Sequence, residues 1–282
     1  MKRDEKTAVF AAPNPRIGVQ VLAVGVWHEK EFGVAQDQIA EAAAWQVAGN
    51  LGDAGECLRV GKTIPELILL AQPLPGQYRQ NDIDRLQSLA PLARIVIVAG
   101  SWCEGGLRSG IQLSGVLRLY WHEFAHWWKS AHARVEAGLC PPWSLPIDDL
   151  QAGRSLPSFS GSRATMADAL VAINAKDFSV YETLSAALEQ IGVATIWIQP
   201  GREVELTEKV SAGIWDGGQL DREELERLAN FCGQIRSHEG VVVALLDYPR
   251  VEHFAQSQEA GAATVFGKPY VVDELFAALG LL

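Results

Sequence analysis

The sequence predicts an α/β protein made of two doubly wound, five-stranded parallel-sheet domains in tandem. Three observations predict it. Ten apolar runs of strand length are strung along the chain, and most are continuous, as strands covered on both faces must be. Amphipathic or loop-length connections separate them, which is what a doubly wound sheet requires. Residues 138–165 then interrupt the pattern with Cys140-Pro-Pro-Trp-Ser-Leu-Pro and the stretch from Ser155 to Ser162, leaving five runs on either side. The expected organisation is a first domain over 1–137, a linker over 138–165 and a second domain over 166–282.

Residues 1 to 15 read as a loose arm closed by Pro13 and Pro15. Ile17 to Val26 is the first expected strand. Gln36 to Val47 is an expected helix, because Ile39, Ala43 and Val47 recur at helical spacing and Gly49 can stop it. Cys57 to Val60 is expected as a short second strand, and Glu66 to Ala71 as a third, broken by Pro73 and Pro75-Gly76. A short helix over Ile83 to Leu89 leads to the strand Arg94 to Ala99. Gly115 to Tyr120 closes the set, followed by a helix through Ala137.

The second half repeats the programme with strands at Ala169 to Ile173, Ala194 to Ile198, Ala212 to Asp216, Val241 to Leu246 and Ala263 to Phe266. Expected helices cover Val180 to Gln190, Arg222 to Arg236, His253 to Ala260 and Val272 to Leu279. Both halves leave little room for a helix between strands two and three, and a shared omission suggests duplication of one domain.

Composition bounds the function. Apolar residues make up 48% and charged residues 21%, an ordinary globular balance. A net charge of −10 with no offsetting basic stripe argues against nucleic-acid binding. No apolar run reaches membrane-spanning length, and the polar N-terminus shows no signal peptide. Cys57, Cys103, Cys140 and Cys232 are scattered with no C-x-x-C pair, so a cytoplasmic protein with free thiols is expected.

From Gly240 onward the chain runs strand, helix, strand, helix, with Lys268-Pro269 just after the last strand. This order resembles the last third of a response-regulator receiver domain, and the likeness covers roughly residues 167 to 282. The resemblance implies a phosphorylated aspartate ending the third strand, a hydroxyl ending the fourth and a lysine before a cis-prolyl bond ending the fifth. Asp216, Leu246 and Lys268 fall at those intervals. Leu246 has no hydroxyl to bond a phosphoryl oxygen. The acidic pair that receivers use to hold Mg2+ is replaced by Asn174 and Ala175, with Asp177 slightly too late. By the same intervals the first half has Ala71 for the aspartate, Ser101 at the hydroxyl position and Glu123 for the lysine. A domain without the aspartate cannot run this chemistry, so the first half reads as a pseudo-receiver.

Two other motifs compete. His122-Glu-Phe-Ala-His126 matches H-E-x-x-H, with His132 where a third zinc ligand would stand and Met166 downstream for a Met-turn. On a helix His122 and His126 would share a face, with Glu123 as general base. Against it, Lys129 occupies the place of the turn-forming Gly, and His122 follows the strand after one residue. Gly61-Lys62-Thr63 ends like a P-loop, but its upstream glycine is Gly55, one residue too far, and Glu56 would repel phosphate. Trp27, Trp45, Trp102, Trp121, Trp127, Trp128 and Trp143 crowd into the first half and the linker. Because a helix turns about 100° per residue, Trp127 and Trp128 are expected to diverge, one of them either outward as an interface anchor or packed under the Pro-rich linker.

The expectation is a non-enzymatic signalling or scaffolding protein acting through protein contacts, without cofactor or metal. A homodimer through Val272 to Leu282 or through the Trp127 helix is a possible assembly. A zinc hydrolase using His122, Glu123, His126 and His132, and a working phospho-receiver at Asp216, are the alternatives.

Overall fold

A computed structural model describes residues 18–61, 64–104, 112–146, 169–201 and 210–281. The expected N-terminal arm, Lys62-Thr63 of the P-loop-like stretch, most of the linker (147–165) and Met166 lie outside the described residues. Two compact units divide the chain at residues 1–156 and 157–282.

The first unit runs β1 (Gln20–Val24), α1 (Gly33–Ala42), β2 (Ala44–Ala48), α2 (Leu51–Val60), β3 (Leu67–Gln72), α3 (Gln80–Leu89), β4 (Arg94–Ala99), β5 (Val116–Tyr120) and α4 (Trp121–Glu136). The second runs β6 (Leu170–Asn174), α5 (Phe178–Glu189), β7 (Ala194–Ile198), β8 (Ala212–Asp216), α6 (Arg222–Arg236), β9 (Val241–Asp247), α7 (Val251–Ala260), β10 (Thr264–Lys268) and α8 (Val272–Ala278). Each unit holds one five-stranded parallel sheet, in the orders β2-β1-β3-β4-β5 and β10-β9-β8-β6-β7. Counted within each unit, both are the 2-1-3-4-5 order of flavodoxin-like proteins. The expected fold class is therefore observed.

Burial on both faces explains why the central strands read as continuous apolar runs. All six residues of β3 are buried, as are five of six in β4. On β8, Gly213 lets α6 lie close, since a Cβ there would come within 2.9–3.0 Å of the Phe231 ring and Ile235.

Two expectations fail in the first unit. Helix α1 stops at Ala42, and the tail of the expected Gln36–Val47 helix is β2, with Ala43 already extended at φ −134° and ψ 154°. The expected strand Cys57–Val60 is the last turn of α2, capped by Asn50, whose side chain accepts from the Gly52 and Asp53 amides. A helix therefore does lie between β2 and β3, and the supposed omission there disappears as an argument for duplication. In the second unit, residues 202–209 of the corresponding connection lie outside the described residues.

The start of the expected linker is structured. A 3-10 turn over Pro142–Ser144 belongs to the first unit and inserts Trp143 against α4.

Candidate functional site

Parallel open sheets present loops beyond the carboxyl ends of their strands, and the second unit gathers its polar groups there. Asp216 ends β8, Asp247 ends β9 and Lys268 ends β10. The Lys268 Nζ lies 2.7 Å from Asp216 Oδ1 and 3.4 Å from Asp247 Oδ1, and donates to the Gly217 carbonyl at 2.6 Å. An ammonium has three protons, and here three internal acceptors surround it. The Lys268–Pro269 peptide is cis, as the resemblance implied. Burial, and then the nearby Asp216 charge, push the Tyr270 phenol up to about 12.

Asp247 was missed by sequence reasoning, which sought an acceptor one residue earlier. The available signal was its register, because Lys268 lies opposite Asp247 in the β10–β9 ladder. Leu246 itself is buried in the core with Trp215 and Val265 and offers no polar atom.

A magnesium ion, which the resemblance implies, does not fit the residues after β6. Asn174 brings a neutral carboxamide whose buried Oδ1 has no hydrogen-bond partner among the described residues, and Ala175 brings no donor. Asp177 is committed elsewhere: its side chain caps α5, accepting from the Ser179 amide at 2.9 Å and the Ser179 hydroxyl at 3.0 Å. Those hydrogen bonds hold its carboxyl below the usual range. Lys176 fastens the same loop to α6 by bonding the buried Glu224 carboxylate, which Arg227 also meets at 2.8 Å.

Removing the cation should expose how much the strand-end cluster depends on it. The Asp216 side chain is only 11% exposed and that of Lys268 29%. Lys268→Met should therefore cost the second unit about 2 kcal/mol, below the range for a fully buried pair because water still reaches the ammonium. Asp216→Asn in the same chain should restore most of it. Chemical denaturation of Lys268→Met, Asp216→Asn and the double variant checks this, and an additive double mutant would show that the two groups do not interact.

The first unit departs further. By the resemblance's intervals Ala71 takes the place of Asp216; it lies near the end of β3, opposite Val98 of β4. The space is filled: Tyr78, itself buried, donates its hydroxyl to the Ala71 carbonyl at 2.8 Å. Gly25, at φ +103°, makes room for this, since a Cβ there would lie 3.2 Å from both oxygens. Ser101 opens the 3-10 turn just after β4, and Glu123 lies in the first turn of α4. Ser101 donates its amide to the Glu31 carboxylate at 2.8 Å, and the Glu123 carboxylate accepts the Tyr120 amide at 2.7 Å, opening α4. Burial raises the Glu123 carboxyl above its usual value, partly offset by that amide.

The zinc constellation is not assembled. Helix α4 is unbroken from Trp121 to Glu136, so at 1.5 Å per residue His132 stands about 15 Å along the axis from His122. Among the described residues, no group of three His, Cys, Asp or Glu side chains could hold a metal ion. His122 instead lies buried with its Nε2 3.8 Å from Glu104 Oε1, and burial pushes its imidazole down to about 4. In the P-loop-like stretch, Gly55 lies inside α2.

The interface expectation for Trp127 and Trp128 is also overturned. Both are buried, at 6% and 3% exposure. Their directions do diverge, but each finds cover. Phe124 meets Trp127 at 5.9 Å and Trp128 at 5.7 Å, and Trp143 lies 6.2 Å from both. The Trp128 indole also donates to the Gln38 carbonyl of α1 at 3.3 Å.

No family model matches the sequence, and no curated protein matches it. Among solved structures it is similar to a two-component response regulator/GGDEF domain protein, at 10% identity and TM-score 0.31, covering 92% of this chain and 95% of that one. The RCK domain of the GsuK channel gives 13% identity and TM-score 0.28, over 96% and 78%. A sugar-binding protein from Salmonella typhimurium gives 15% and 0.27, over 93% and 84%. All three TM-scores lie below 0.5, so the fold rests on this chain's own strand order.

Proposed function

We propose that this is a cytoplasmic signalling or scaffolding protein of two pseudo-receiver units, non-enzymatic and acting through protein contacts. The observation that carries the reading is the closed charge cluster of the second unit. Lys268 is shared by Asp216, Asp247 and the Gly217 carbonyl, while Asn174, Ala175 and Leu246 replace the groups that phosphoryl transfer needs. With no acidic pair to hold a divalent metal ion beside the incoming phosphoryl group, and with Lys268 already engaged by three acceptors, the carboxylate of Asp216 is a poor acceptor.

Contacts with partners must use what the units leave outside. Most of the C-terminal segment is spent internally, because Leu275, Phe276, Leu279 and Leu281 are buried in their own core. Tyr248, Val271 and Val272 remain exposed beside the strand ends that carry Asp247 and Lys268, and they are the candidates for a homodimer or partner contact.

A working phospho-receiver at Asp216 is the second reading, favoured by the Asp216–Lys268 pair being in place. Incubation of the full chain with Mg2+ and acetyl phosphate separates the two. Asp216 should stay unmodified by intact-mass measurement. Gain of one phosphoryl group, abolished by Asp216→Asn, would sink the non-enzymatic reading.

A further inference from the structure

Residues 139–146 cross α4 in the first unit as a strap. Pro141 and Pro142 stiffen the backbone, and the Ser144 and Leu145 amides close the 3-10 turn onto the Pro141 and Pro142 carbonyls. Arg94, from β4, ties the strap down by donating to the carbonyls of Trp143 (3.1 Å) and Leu145. Trp143, buried together with Pro142, is the strap's aromatic anchor, and it lies on Trp127, Trp128 and His132.

His132 beneath it is an anomaly. It is 9% exposed, and neither Nδ1 nor Nε2 has a hydrogen-bond partner among the described residues. The Trp143 Nε1 is buried and unpaired as well. Neutral imidazole tolerates this setting at the cost of one donor and one acceptor left unmet. Imidazolium would not, because it brings a charge and a second donor into a place with no acceptor.

We propose that His132 makes this strap a proton-gated cover: protonation of the imidazole releases residues 139–146 from α4 and uncovers the rings of Trp127 and Trp128. The charged groups around it do not reverse the sign. Glu136, four residues on in α4, favours the imidazolium, but burial outweighs it and holds the imidazole below its ordinary value. The 3-10 turn, Pro142–Ser144, contributes no charged side chain, and Arg94 approaching from β4 is itself a cation. On α1, Asp37 and Glu41 flank Gln38, and no hydrogen bond among the described residues reaches either His132 nitrogen. The Trp128 ring, 4.5 Å away and tilted by 64°, offers a cation–π contact, which is weaker compensation than the counter-charge a buried cation requires.

Amide exchange at Ser144 and Leu145, corrected for intrinsic rate, tests the gate in the full chain. Protection there should fall by about tenfold per pH unit at most between pH 6.5 and 5, one proton being taken up per opening. The measurement is made in the His122→Phe background, where amides of β3 and β4 should lose less protection than those of the strap. His132→Gln and His132→Phe should both abolish the pH dependence, and Arg94→Met should open the strap at pH 7.5. Retention of the dependence in both His132 variants would overturn the proposal, as would strap and sheet amides losing protection together.

Discussion

Phe124→Ala should unfold the first unit more readily by about 4 kcal/mol, the middle of the range for truncating a buried aromatic side chain. Phe124 is fully buried and stands at the centre of the aromatic layer, with ring centroids at 6.5 Å from Trp27, 5.9 Å from Trp127 and 5.7 Å from Trp128. Rigid indoles on three sides cannot collapse into the vacated volume, so the cavity persists and its cost adds to the lost transfer energy. Against a total stability of about 5–15 kcal/mol, that is a large fraction. Phe178→Ala in the second unit, at a half-exposed ring, should cost under about 1 kcal/mol. Urea denaturation read by amide exchange in each unit separates the two, and a midpoint in the first unit unmoved by Phe124→Ala would contradict this account of the layer.

Strands buried on both faces were legible because nothing but apolar residues can occupy them. Arg94–Ala99 and Ala212–Asp216 are found where their composition placed them. Strand β2 was not legible: it is only half covered, like the edge strand β7, but lacks the β-branched Thr195 and Ile196 that marked β7. Its Val47 also happens to continue the helical spacing of Ile39 and Ala43. Helix α2 was hidden by Gly52 and Gly55, which weaken helix propensity, and only the Asn50 cap marks its start.

The site was half legible for a similar reason. Asp216 and Lys268 end apolar strands, where a charge stands out. The role of Asp247 depends on β9 pairing with β10, and the burial of Trp128 depends on Trp143, 15 residues downstream in what reads as a linker. Adjacent tryptophans on one helix do diverge. What covers the second face comes from a distant part of the chain, and no local pattern announces it.

Acidification should weaken the first unit well before its carboxylates titrate, chiefly through His122. Its side chain is 7% exposed, it stacks on Tyr120 at 5.8 Å, and burial holds the imidazole down at about 4. A base whose folded value is depressed is neutral in the native state. Its contribution is therefore fully present above the unfolded value of about 6.5 and is lost as pH falls from there towards 4. The slope cannot exceed about 1.4 kcal/mol per pH unit for one proton, and the window gives a loss of about 3 kcal/mol in all. His126 and His132 are depressed by burial in the same direction and add to the slope in this unit. The neighbouring Glu104 carboxylate, 3.8 Å from Nε2, would favour the imidazolium, but burial decides the direction. His122→Phe keeps an aromatic ring on Tyr120 and removes the titration. Urea midpoints of the first unit at pH 7.5, 6.5, 5.5 and 4.5 should fall steeply in the wild type and shallowly in His122→Phe. Parallel profiles for the two would show that His122 takes up no proton on unfolding, and the buried neutral imidazole would have to be abandoned.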